Sequence, residues 1–198
     1  MSVVATVAAG CISSRAGTPQ AAPGLSSGPV VPPSSTVSRP RQLDLTGVEV
    51  CTLLTNQQLA NFAVDRPSRP GTAGGGSVLV GSPECQFGSD AEQHGFLILA
   101  STSMGLPEFL SKIQPNPSRA VITVNGYPAV QEEGLGELSA PERGSGACFV
   151  EVDVADGQLL GVQFSQIAAR EPKRLPIETL CAKAREVAEA ALTTLQGG

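Results

Sequence analysis

The chain has 198 residues, 41% hydrophobic and 16% charged, with 13 basic and 18 acidic side chains for a net charge of −5. That length accommodates one ordinary domain with a tail, and the negative balance argues against the basic footprint of a nucleic-acid binder. A single His and no Trp exclude a multi-His metal centre, while five cysteines, an odd number, require each to be assigned.

Residues 2–10 are uncharged and free of proline, and they end in Ala8-Ala9-Gly10 directly before Cys11. Small residues ahead of a cysteine resemble the lipobox of bacterial lipoproteins, in which the signal peptide is cut and a lipid is joined to the cysteine sulfur. A signal peptide opens with basic residues before its apolar run. No Lys or Arg precedes Cys11, so residues 1–10 are expected to be part of a signal peptide whose start lies upstream. No apolar run is long enough for a transmembrane helix. From 12 to 43 there are six Pro, three Gly, seven Ser and two Thr. Such a segment buries too little apolar surface to offset its ordering entropy. Residues 11–43 are therefore expected to be a lipidated cysteine and a disordered tether, with Arg15, Arg39 and Arg41 as its charges. Residues 44–198 are expected to form one domain.

Within it, Thr55-Asn56-Gln57-Gln58 is a capping-box pattern and predicts a short helix to about Phe62. Arg66 to Pro83, with Gly74-Gly75-Gly76 and three prolines, reads as a loop. Cys85–Gly88 and Gly95–Thr102 read as strands, and Pro107–Ile113 as a short helix with Pro in its first turn. Arg119–Val124 and Tyr127–Glu132 flank Asn125-Gly126, a strong hairpin signal. A second hairpin joins Cys148–Val154 to Gln158–Ile167. A two-residue turn there would put the two apolar sets on opposite faces. A three-residue loop, Ala155-Asp156-Gly157, sets Val152 opposite Leu160 and Val150 opposite Val162, with Gly157 left-handed. From Pro176 to Gln196, Ile177, Leu180, Cys181, Ala184, Val187, Ala188, Ala191 and Leu195 form one stripe of a helix, with Lys183, Glu186 and Glu189 facing water. The expected class is α+β: an antiparallel sheet packed by a short N-terminal helix and a long C-terminal helix.

With Cys11 assigned to lipid, Cys51, Cys85, Cys148 and Cys181 remain, an even number suited to two disulfides outside the cytoplasm. Three connectivities are possible. The placement of Cys51 near the first helix and Cys181 on the last favours Cys51–Cys181 and Cys85–Cys148. No Cys-x-x-Cys occurs, which disfavours zinc. His94 alternates with Asp90 and Glu92 but sits among turn residues, so it reads as an exposed loop histidine, and no Gly-x-Ser-x-Gly elbow is present. Glu132, Glu133, Glu137 and Glu142 read as a solvated acidic loop. No catalytic residue, metal site or cofactor is expected.

Cys51-Thr-Leu-Leu-Thr-Asn-Gln-Gln-Leu59, Cys85-Gln-Phe87, Val124-Asn-Gly-Tyr-Pro-Ala129, Cys148-Phe-Val-Glu-Val-Asp-Val154 and Leu180-Cys-Ala-Lys-Ala-Arg-Glu-Val-Ala188 occur in that order. Together they resemble the actinobacterial lipoproteins that carry domain of unknown function 3558. The resemblance implies a secreted, membrane-anchored α+β domain with no established activity. The expected function is a non-enzymatic binding or interaction lipoprotein of the cell envelope. It would be held to the extracytoplasmic face of the membrane through Cys11, as a monomer, with an envelope protein or small molecule as partner and no nucleic acid. The alternative is a carrier of an apolar ligand, in a cavity between the sheet and the C-terminal helix.

Overall fold

The computed structural model describes residues 38–134, 146–166 and 175–197. Cys11, the tether up to residue 37, Glu137, Glu142 and Gly198 lie outside the described residues. Seven strands form one sheet: β1 (Arg69–Thr72), β2 (Pro83–Ser89), β3 (His94–Ser101), β4 (Ala120–Val124), β5 (Tyr127–Gly134), β6 (Ala147–Ala155) and β7 (Gln158–Gln166). Their order is β1-β2-β3-β7-β6-β5-β4, and every neighbouring pair is antiparallel. Three helices accompany it: α1 (Asn56–Asn61), α2 (Leu106–Lys112) and α3 (Ile177–Gly197). The expected α+β architecture is observed.

The centre of the sheet is the β6–β7 hairpin. Val150 pairs with Val162 and Val152 with Leu160, as the hydrophobic pattern requires. Register shifts by one residue between Asp153 and Ala155, and Gly157 takes a φ of 71°. That left-handed residue closes the bulged turn, a conformation an L side chain resists. Because side chains alternate across a strand, this register divides the sheet. Val150, Val152, Leu160, Val162 and Phe164 point to one face, and Phe149, Glu151, Gly161 and Gln163 to the other.

The first face receives α3. Ala184, Ala188 and Ala191 are fully buried, and their small side chains let the helix approach the sheet closely. Phe87, Phe96 and Phe164 stack across β2, β3 and β7 at centroid distances of 5.0 and 5.9 Å, and Phe62 meets Phe96 edge-on. The capping box of α1 forms as predicted: the Thr55 side chain accepts from the Gln58 amide, and the Gln58 side chain accepts from the Thr55 amide. Leu192, absent from the predicted stripe of α3, is also buried.

Four expectations are corrected. The disulfides are Cys51–Cys85 and Cys148–Cys181, with Cα separations of 5.1 and 5.0 Å, not Cys51–Cys181 and Cys85–Cys148. Strand order explains this. β3 and β7 lie between β2, which carries Cys85, and β6, which carries Cys148. Three inter-strand steps of about 4.8 Å separate them, twice the span a disulfide bridges. Each cysteine instead bonds the element packed above it: the 3-10 turn Val50–Thr52 over β2, and α3 over β6. The segment read as loop contains β1, which is exposed at all four positions; Pro70 is tolerated because the strand lies at the sheet edge. The fold also begins before residue 44. Arg39 donates to Asp153 at 2.9 Å and to Asp156 at 2.8 Å, the Leu43 amide bonds the Val154 carbonyl, and Leu43 is buried. Finally, His94 opens β3 and is buried rather than exposed.

Non-reducing peptide mapping should recover Cys51 linked to Cys85 and Cys148 linked to Cys181. Replacing Cys148 and Cys181 by alanine should cost about 3–4 kcal/mol in denaturant unfolding, the entropy of a loop of this length.

Candidate ligand cavity on the second face of the sheet

The second face has a thinner cover. α2 contributes Leu106 and Phe109, both buried, and the segment 73–82 folds over beside it with Ala73 and Leu79 buried. Pro107 stands in the first turn of α2, where its missing N–H is not needed. Backbone bonds between Ala73 and Ser82 and between Gly81 and Ala73 close the 73–82 segment on itself. Between this cover and the sheet lies a cavity of about 300 Å³. Leu97, Leu99, Phe109, Ile113, Val130 and Phe149 supply apolar walls, and Glu84, Glu132, Glu151 and Gln163 supply polar groups.

Glu151 is the unusual member. It lies opposite Gly161 in the β6–β7 ladder. A Cβ at residue 161 would come within 2.6 Å of Glu151 Oε2, so the glycine leaves the room that the carboxyl occupies. Oε2 is buried and accepts no hydrogen bond from the described residues. Gln163 Nε2, on the next strand, is likewise buried without an acceptor. Burial, reinforced by the nearby Glu132 carboxylate, pushes the Glu151 carboxyl up to about 8, so it is largely protonated at neutral pH. Glu132 itself accepts from Arg119 Nε at 2.7 Å, and Glu84 accepts from the Gln86 amide at 3.3 Å. The expected acidic loop is thus partly a strand: Glu132 and Glu133 belong to β5, and Glu132 is ion-paired rather than solvated.

His94 lies across the sheet from this cavity. Its Nε2 is 3.0 Å from the Phe62 carbonyl and its ring packs 5.0 Å from Phe164. Burial lowers its pKa despite that bond, so it is neutral at pH 7 and acts as a core side chain. Asp90 is turned away to Arg66. Among the described residues no three His, Cys, Asp or Glu side chains are grouped to hold a metal. Glu151, Gly161 and Gln163 were not singled out by motif. The alternation of Cys148-Phe-Val-Glu-Val-Asp-Val154 placed Glu151 opposite the apolar set, but a residue on that face would ordinarily be solvated. Glu151 is buried on a face that α2 and segment 73–82 cover.

The proton on Glu151 links stability to pH. A carboxyl raised from 4.5 to about 8 keeps its proton in the folded state where the unfolded chain has lost it. Its stabilising contribution is complete below about 4.5 and is lost as pH rises through about 8. Unfolding free energy should therefore fall between pH 5 and pH 8 by on the order of a few kcal/mol from this group. Glu151→Gln should remove that component and be the more stable protein at pH 8. An equal offset between the two proteins at pH 5 and pH 8, measured by urea titration, would contradict a buried protonated carboxyl.

A crystal structure from Bacteroides thetaiotaomicron VPI-5482 is similar at 13% identity and a TM-score of 0.35, covering 62% of this chain and 40% of that one. The chain thus spans less than half the length of that protein. No curated protein matches. The model of the family described as "Protein of unknown function (DUF3558)" matches residues 6–194, nearly the whole chain, and the chain belongs to that family.

Proposed function

We propose that the chain is a lipid-anchored binding domain on the extracytoplasmic face of the cell membrane, of the actinobacterial lipoprotein type, whose cavity under α2 receives a small ligand. The cavity carries this reading: apolar walls with a few convergent polar groups are the common form of a ligand site. Two disulfides suit an oxidising compartment. Ala8-Ala9-Gly10-Cys11 supports the anchor, and the Pro/Ser-rich segment after it supports a tether that holds the domain off the membrane. No helix among the described residues is long and apolar enough to cross a membrane, so lipid on Cys11 is the means of attachment in this reading. The sole imidazole, His94, is packed on the other face of the sheet and does not line the cavity. A carrier of an apolar ligand is a related reading. Its site moves from the α3 face, where Ala184, Ala188 and Ala191 are fully buried, to the cavity under α2.

Cys11→Ala should move the protein from the membrane fraction to the soluble extracytoplasmic fraction; continued partitioning with membranes would contradict the lipid anchor. A fragment library followed by amide chemical shifts should give ligands that perturb Leu97, Leu99, Phe109 and Phe149 together. Ligands that perturb only the α3 face, or none at all, would remove the cavity from the account.

A further inference from the structure

We infer that the cavity under α2 takes a small amphiphilic organic cation, an apolar body ending in an ammonium group that is seated on the Glu151 carboxylate. The inference rests on the cavity being the ligand site and adds the class of ligand. Two observations lead to it. The first is the sign of the lining. Three carboxyl side chains, Glu84, Glu132 and Glu151, border the cavity, and among the described residues no Lys, Arg or His does. A cation finds carboxyl groups there, whereas an anion finds no basic side chain among the described residues. The second is that, of the six buried side-chain polar atoms without partners among the described residues, two, Glu151 Oε2 and Gln163 Nε2, belong to side chains that line this cavity. A buried acceptor without a donor is costly, and an ammonium supplies the strongest donor such a carboxylate can receive. The Gln163 amide lines the same cavity, available to a polar atom of the ligand. The remaining surface is aliphatic and aromatic, suited to the apolar body.

Seating the ammonium requires Glu151 to lose its proton. R–NH3+ binds as a cation, the Glu151 carboxylic acid becomes carboxylate, and the proton passes to solvent, so the charge balances. The groups around Glu151 bear on this step. From β5 comes Glu132, held by Arg119. From β2 comes Glu84, bonded by Gln86. β3 and β7 present Leu97, Leu99, Gly161 and Gln163, none of which titrates. α2 presents Phe109 and Ile113 to the cavity, while its Glu108 and Lys112 pair with each other at 2.7 Å on the exposed side. On β6 itself, Asp153 is held by Arg39. Glu84, Glu132 and Asp153 thus each have a partner, Glu151 Oε2 has none among the described residues, and Glu151 is the group that exchanges its proton for the ligand.

The test uses the full chain and three probes of one shape: n-hexylammonium, n-hexanol and hexanoate. Calorimetry at pH 8.5 should show hexylammonium binding more tightly than hexanol, with hexanoate weakest. Affinity for hexylammonium should fall about tenfold per pH unit below pH 8. Heats in two buffers of different ionisation enthalpy should report about one proton released per amine bound at pH 7. Glu151→Gln, checked for an unchanged circular dichroism spectrum, should weaken hexylammonium about tenfold or more and leave hexanol unaffected. Should that variant not fold, the pH slope and the proton count of the unaltered protein decide the matter. Hexanol binding as tightly as hexylammonium, or amine binding with no pH slope, would overturn the cation and leave the cavity as a ligand site. Failure of all three probes to bind would overturn both.

Discussion

The register of the β6–β7 hairpin is the constraint on which the rest of the structure depends. One bulged turn at Gly157 decides which of two alternating sets of side chains meets α3. With the observed pairing, valines, a leucine and a phenylalanine lie under the helix, and Glu151 and Gln163 lie on the other face. A slip of one residue would place Glu151 beneath the alanines of α3, where nothing could solvate or pair it, and would turn Val150 and Val152 away from their core. Burying a carboxyl there and losing that apolar burial both oppose the slip. The apolar stripe of α3 reinforces the same choice, because only one face of the hairpin complements it.

The two faces then have different characters. The α3 face is stitched at both ends by covalent bonds, Cys51 to Cys85 and Cys148 to Cys181, which join the sheet to the 3-10 turn and to α3. Arg39, at the other end of the hairpin, adds ion pairs to Asp153 and Asp156. The second face has no such bond among the described residues. Its cover is a helix of seven residues whose N-cap, Gly105, gives no side-chain hydrogen bond, and a segment rich in glycine. Glu151 and Gln163, whose Oε2 and Nε2 lack partners among the described residues, line the cavity under this cover. Stability is thus concentrated on one side of the sheet and the candidate site on the other.

Much of this was legible in the sequence. The capping box at Thr55, the Asn125-Gly126 turn, the bulged hairpin and its register, and the stripe of α3 all rest on local chemistry or on short-range periodicity, and each appears where expected. The expectations that the structure corrects concern features no local pattern encodes. Pairing of the cysteines requires knowing that β3 and β7 separate β2 from β6, which no local pattern encodes. β1 carries Pro70 and exposes every residue, so it lacks the alternation by which strands are recognised. Burial of His94 depends on the Phe62 carbonyl, which comes from a helix 32 residues earlier. Arg39 looked like part of the tether because its partners, Asp153 and Asp156, lie more than 110 residues away. The cavity has a similar origin: Glu151 alternates as a surface residue should, and the cover on its face comes from segment 73–82 and from α2, in the crossover between β3 and β4.

The sheet has one closed face and one thinly covered face that carries the candidate site. Residue-resolved amide hydrogen exchange on the full chain tests this most directly. The account predicts that amides of β6, β7 and α3 exchange only through global unfolding, whereas those of α2 and of segment 73–82 exchange through local opening at a clearly lower free energy. Protection of α2 equal to that of α3 would contradict it, for the second face would then be as firmly closed as the first.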